Sequence, residues 1–162
     1  MMSEKGRLRL AGICGIAAPI VALLFIFTAI ALSPWFSWTA NALSDLGVGE
    51  AALIFNSGLV LGGVLATVFA ATILTTYQDR VRRAGALVFL LGTISLIGIG
   101  IFSEAAGRIH FYFSVAFFVL VPISFWIMGA GIFRSGSKGW GTLTVVLGVV
   151  GALPWVHHWT AV

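Results

Sequence analysis

Residues 51–77 read AALIFNSGLVLGGVLATVFAATILTTY and carry no charged side chain. A helix of that length rises about 40 Å, more than the hydrocarbon core of a bilayer, about 30 Å thick. Four other stretches behave alike, at about residues 10–32, 84–103, 110–133 and 141–160. Each is too long and too apolar for a core helix of a soluble domain. The alternating stretches of about 10 residues that build a membrane β-barrel are missing. The expectation is an all-α polytopic membrane bundle of five transmembrane helices, forming one domain over residues 1–162.

Composition agrees. The 162 residues are 60% hydrophobic and 9% charged, against about 45–50% and about 25% in ordinary soluble domains. Nine Lys and Arg with five Asp and Glu cannot coat a soluble globule of this size, so a soluble domain and a nucleic-acid binder are both excluded. A single cysteine, Cys14, rules out an internal disulfide and any multi-cysteine metal site. Lys5, Arg7 and Arg9 precede the first stretch as they would in a signal peptide. Its apolar run exceeds a signal core of about 7–15 residues, so it reads as a retained anchor.

Basic residues set the expected orientation, because they collect in cytoplasmic segments. With five crossings, Lys5, Arg7, Arg9, Arg80, Arg82, Arg83, Arg134 and Lys138 share one side, and only Arg108 lies on the other. The chain is expected in the cell membrane with its N-terminus cytoplasmic and its C-terminus outside. Trp35, Trp38, Trp155 and Trp159 then sit at the outer interface and Tyr77 and Trp140 at the inner one. Short links between helices predict antiparallel neighbours. Residues 33–50 alone are long enough for a small cap or lid.

Close packing in lipid needs small residues. Gly58 and Gly62, with Gly63, form one such face; Gly85, Gly92, Ser95, Ile99 and Ser103 form another; Gly148, Gly151, Trp155 and His158 a third. The last two faces are expected to meet inside the bundle. Pro19, Pro122 and Pro154 interrupt helices one, four and five, as packing devices or as kinks that open a cavity.

The polar residues are biased to the outer end. Asp45, Glu50, Glu104, His110, His157 and His158 all fall there, with Asn41, Ser44, Asn56 and Arg108 as neighbouring binding candidates. The helix centres hold no ionisable group, which argues against transport through a charged midplane site. In residues 33–56, Ser44 or Asp45 can cap a helix, and Gly47 and Gly49 suit a turn; alternatively Asp45 is a ligand or acid/base group under a lid bearing Trp35 and Trp38. In SEAAGRIHF, residues 103–111, Glu104 and Arg108 can pair if the link is helical, either as an interfacial ion pair or as a brace for His110. In WVHHWT, residues 155–160, adjacent imidazoles point about 100° apart, so His158 is the inward candidate and His157 faces headgroups. Asp45, Glu104, His110 and His158 are the candidate catalytic set, with Asp45, His110 and His158 as candidate zinc ligands, although no HExxH or His-x3-His spacing is present.

The segments NALSDLGVG at 41–49, ALIFNSGLVLGG at 52–63 and GIFSE at 100–104, followed by His110, resemble the DUF998 family of small polytopic membrane proteins, many of them archaeal. The resemblance covers about residues 38–133 and implies a multi-helix bundle without implying a chemistry. Family members usually carry one more helix, so this chain is expected to be shorter than its relatives. The outer set of Ser, Asp and His is also similar in composition to the zinc-dependent membrane hydrolases of the alkaline ceramidase and adiponectin-receptor type, without their His-x3-His pair.

The leading expectation is a lipid- or partner-binding bundle, such as an accessory subunit of a larger membrane complex or a homo-oligomer. The alternatives are a small metal-dependent hydrolase of lipid headgroups and a transporter or channel subunit.

Overall fold

Ser3 Oγ accepts the Gly6 amide at 3.2 Å and starts α1, Glu4–Ala31. Asp79 Oδ1 does the same for Arg82, at 2.8 Å, and starts α3, Arg80–Ile101. These caps satisfy amides that the helix itself leaves unpaired. They explain why Lys5, Arg7, Arg9 and Arg80 to Arg83 lie inside helices: each helix runs past its apolar stretch until a cap stops it. The other long elements are α2, Ala52–Thr76, α4, Arg108–Arg134, and α5, Lys138–Thr160. Short 3-10 turns occupy Leu43–Gly47 and Glu104–Ala106. The computed structural model describes residues 3–160, with side chains through residue 155, and shows no strand among them. α1 to α4 are each long and apolar enough to cross a membrane.

Consecutive helices pack side by side with opposite directions, and glycines mark the seams. A Cβ on Gly58 would lie 2.2 Å from Phe25 Cβ, and one on Gly62 would lie 3.0 Å from Ala22 Cβ, so α2 rests directly on α1. Gly63 faces the Thr93 carbonyl, and Gly100 faces the Asn56 carbonyl, on the α2–α3 seam. Gly85 meets Met128, Gly92 meets Val121 and Gly98 meets Phe113 between α3 and α4. Gly129 faces the Gly141 carbonyl and Gly148 faces Trp126 between α4 and α5. Along every seam one residue number rises as its partner's falls, the signature of an antiparallel pair. The Thr67 and Thr93 hydroxyls, 2.9 Å apart, add a polar tie between α2 and α3 in the apolar interior.

One expectation is corrected here. Among the described residues, the glycine faces of α3 and α5 do not meet. Each packs against α4 instead, and Gly151 has nothing within 4 Å of its would-be Cβ. α4 stands between them because the links on both of its sides are short, residues 102–107 and 135–137.

The antiparallel course gathers the ends of the helices into two groups. One end holds the start of α1, the α2–α3 link and the α4–α5 link, with the eight clustered basic residues. Arg82 lies there with its guanidinium carbon 4.7 Å from the centre of the Tyr77 ring and its Nε 3.7 Å from Asp79. The opposite end holds residues 32–51, the α3–α4 link and the first turn of α4. Leu46, fully buried, plugs residues 32–51 into a core of Ala29, Ala51, Phe55, Leu59 and Ile99. That segment is the small cap its length foretold.

Candidate functional site

Because the helices pack in series, α1 and α4 form no extensive interface with each other. A cavity of about 1080 Å3 lies between them, at the upper limit of ordinary small-molecule sites, about 300–1,000 Å3. Its back wall comes from α2 and α3, where Phe55, Leu59, Ala66, Thr93 and Ile99 are buried. Its flanks come from α1 and α4, where Leu23 and Phe111 line the same space yet remain exposed, at 50% and 60%. The cavity therefore opens sideways, toward the surroundings of the helices. From His110 to Phe125, both lining residues, α4 rises about 22 Å.

The deep end has an aromatic floor. Phe69 of α2 and Phe89 of α3 stand edge to face with centroids 6.2 Å apart, and Phe89 and Phe125 of α4 are 5.7 Å apart. Gly15 of α1 closes on this cluster: a Cβ there would be 2.9 Å from the Phe69 ring. Trp155 of α5 also reaches the cavity, packed on Phe118 with centroids 4.4 Å apart.

The shallow end is polar. Ser44, Glu104, His110 and Ser114 all line it. His110 is 9% exposed, and its Nδ1 lies 2.7 Å from the Phe102 carbonyl oxygen. A carbonyl only accepts, so Nδ1 carries the proton, and in the neutral ring Nε2 is left as an acceptor. Ser114 sits one turn further along the same face of α4. Among the described residues, no hydrogen bond engages His110 Nε2, Ser44 Oγ, Ser114 Oγ or the Glu104 carboxylate.

Glu104 and Arg108 do not pair; among the described residues the ion pair is Arg82 with Asp79. Gly107 is the reason. At φ 59° and ψ −117° it breaks the chain between the 3-10 turn and α4, so the two side chains never share one helix. Only glycine adopts that backbone readily.

Three further candidates, Asp45, Asn41 and Asn56, are spent on the cap. Asp45 Oδ2 accepts from Asn41 Nδ2 at 3.2 Å and from the Ala42 amide at 3.0 Å. Asn41 Oδ1 accepts the Ser37 amide at 3.0 Å. Asn56 of α2 donates to the Gly47 carbonyl at 2.9 Å and ties the cap to the bundle. Asp45 thus braces the cap's own turn, and α2 starts after Ala51 without a side-chain cap. Arg108 is exposed beside the cavity mouth. His157 and His158 lie in α5, and their side chains fall outside the described residues. Among the described residues, no three of His, Cys, Asp and Glu form a group able to hold a metal.

A family model described as "Protein of unknown function (DUF998)" matches residues 16–161. The chain belongs to the DUF998 family. No curated protein and no solved structure matches it. In this DUF998 chain the family match spans the cap and, apart from Gly15, the whole lining of the cavity, from Ala18 of α1 to Trp155 of α5. Two features of the DUF998 site escaped the sequence reading. Ser114 could have been found from its spacing of four from His110. The floor of Phe69, Phe89 and Phe125 had no signal, since phenylalanines facing lipid and facing a cavity look alike.

Proposed function

We propose that this membrane protein binds a single lipid, with its chain in the cavity between α1 and α4 and its headgroup at the mouth near His110. The observation that carries this reading is the cavity's own polarity profile. It is apolar over most of its length, ends on aromatic rings, and gathers four unengaged polar side chains at one end. An amphiphile has the same profile. The sideways opening supplies access from the hydrocarbon region, where a lipid chain already lies. One leaflet supplies about 15 Å of that core, and the cavity runs about 22 Å along α4. The bundle is read as a five-span protein of the cell membrane with its basic end cytoplasmic, which puts the cavity mouth at the outer leaflet.

Native mass spectrometry of the protein extracted in mild detergent tests this. Wild type is expected to retain one lipid per chain. Leu96→Trp and Ala22→Phe, which place bulk inside the cavity, are expected to release it while thermal unfolding still shows a cooperative transition. A wild type that holds no lipid above the micelle background overturns the reading. So does full retention by both folded variants, or a second copy of the chain found in place of lipid.

A further inference from the structure

The mouth of the cavity has an unusual inventory of partners, and it restricts the headgroup; the inference rests on the lipid-binding reading above. A carboxylate only accepts hydrogen bonds, and so does the Nε2 of a neutral imidazole whose Nδ1 is already donating. Glu104 and His110 are therefore two acceptors facing one space, joined by the Ser44 and Ser114 hydroxyls, which accept as readily as they donate. His110 is nine-tenths buried and its second nitrogen has no partner among the described residues. The only Lys or Arg at this end is Arg108, which does not line the cavity, and the other eight stand at the opposite end of the helices. The break at Gly107 keeps Arg108 from neutralising Glu104.

We infer that the headgroup bound here ends in a primary ammonium, held by Glu104 with His110 Nε2 and the Ser44 and Ser114 hydroxyls as its further acceptors. An ammonium brings three donors and a positive charge, which suits this set of acceptors in kind and in sign. A quaternary ammonium brings the charge without an N–H to donate. A head with net negative charge meets an unpaired carboxylate, and like-charge contact opposes its binding.

Phosphatidylethanolamine, phosphatidylcholine and phosphatidylglycerol with identical acyl chains share the phosphate and differ only in the terminal group. Each is added to delipidated protein and bound lipid is quantified by native mass spectrometry. Wild type is expected to favour the ethanolamine lipid over the glycerol lipid by about tenfold or more, the scale of a charge-assisted hydrogen bond. Glu104→Gln is expected to remove most of that preference with no change in thermal stability, because the Glu104 side chain is exposed and engages no other group described. Arg108→Gln is expected to leave the preference intact. Equal binding of the three lipids, preference for the glycerol lipid, or an unchanged preference in Glu104→Gln overturns the headgroup assignment while leaving the lipid-binding reading standing. Failure of wild type to bind any of the three overturns both.

Discussion

His110 Nδ1 donates to the Phe102 carbonyl at 2.7 Å, so the first turn of α4 closes the last turn of α3. One bond does two things. It satisfies a carbonyl at a helix end, where backbone acceptors lack partners. It also fixes the imidazole so that its other nitrogen meets the cavity. His110→Ala is expected to cost about 0.5–1.5 kcal/mol, the net worth of one hydrogen bond. Thermal or denaturant unfolding in detergent measures it. A variant as stable as wild type would show that the Phe102 carbonyl finds another partner.

The seams make a sharper stability prediction because they rest on geometry alone. Gly100→Ala places a methyl 2.7 Å from the Asn56 carbonyl oxygen, and Gly58→Ala places one 2.2 Å from Phe25 Cβ. Neither neighbour is the free end of a flexible chain, so helices must move apart. Each change is expected to destabilise by about 1–3 kcal/mol. Gly12→Ala in α1 meets nothing within 4 Å and is expected to be neutral or slightly stabilising. Unfolding midpoints of the three variants separate close packing from a mere abundance of glycine.

These seams also mark how far the sequence could be read. Charge-free stretches locate all five helices, and the four that are long and apolar enough to cross a membrane stand out because a bilayer demands length and apolarity and little else. The small face of Gly58 and Gly62 is legible, and it does pack, on α1. A glycine face does not name its partner, however: the faces of α3 and α5 look suited to each other, yet α4 takes both. The spacing of Glu104 and Arg108 misleads for a local reason: a pair four apart presumes an unbroken helix, and Gly107 breaks it. Asp45 stands out as an acid within the cap, yet its carboxylate is used up by Asn41 and the Ala42 amide. Ser114 stays hidden because one serine in an apolar run gives no periodicity of its own.

The polar tie between α2 and α3 carries a prediction about coupling. Thr67 and Thr93 share a hydrogen bond of 2.9 Å, and Thr93 Oγ1 also lies 2.9 Å from the Leu90 carbonyl of its own helix. Inside a membrane bundle such side-chain bonds average about 0.6 kcal/mol, with a maximum of about 1.7. A double-mutant cycle with Thr67→Val and Thr93→Val is expected to return a coupling in that range. A coupling of zero would mean that each hydroxyl is served equally well by its own helix.

The cap is held to the bundle by a polar tie, Asn56 Nδ2 to the Gly47 carbonyl at 2.9 Å, and by apolar packing of the buried Leu46 and of Phe36. Asn56→Ala removes the first and keeps the second. The expected loss is about 1 kcal/mol, felt locally: hydrogen exchange should quicken over residues 41–49 and stay unchanged in α3. Ala42, Leu43 and Ser44 belong to the same segment and line the cavity, so a loosened cap is also expected to speed lipid exchange.

The two ends of the bundle differ enough in charge to predict its direction in the membrane. Eight of nine basic residues cluster at one end, and Arg108 alone is at the other. Short segments rich in Lys and Arg remain cytoplasmic, so Ser137, in the α4–α5 link, is expected inside and Ser37, in the cap, outside. The native thiol, Cys14, is buried and easily replaced by Ala. On that background, Ser37→Cys is expected to react with a membrane-impermeant maleimide on intact cells, and Ser137→Cys only after the membrane is opened. The reverse pattern would place the cavity mouth, with Glu104 and His110, at the cytoplasmic leaflet. Labelling of both from outside would mean that one of the three helices between them, α2 to α4, does not cross.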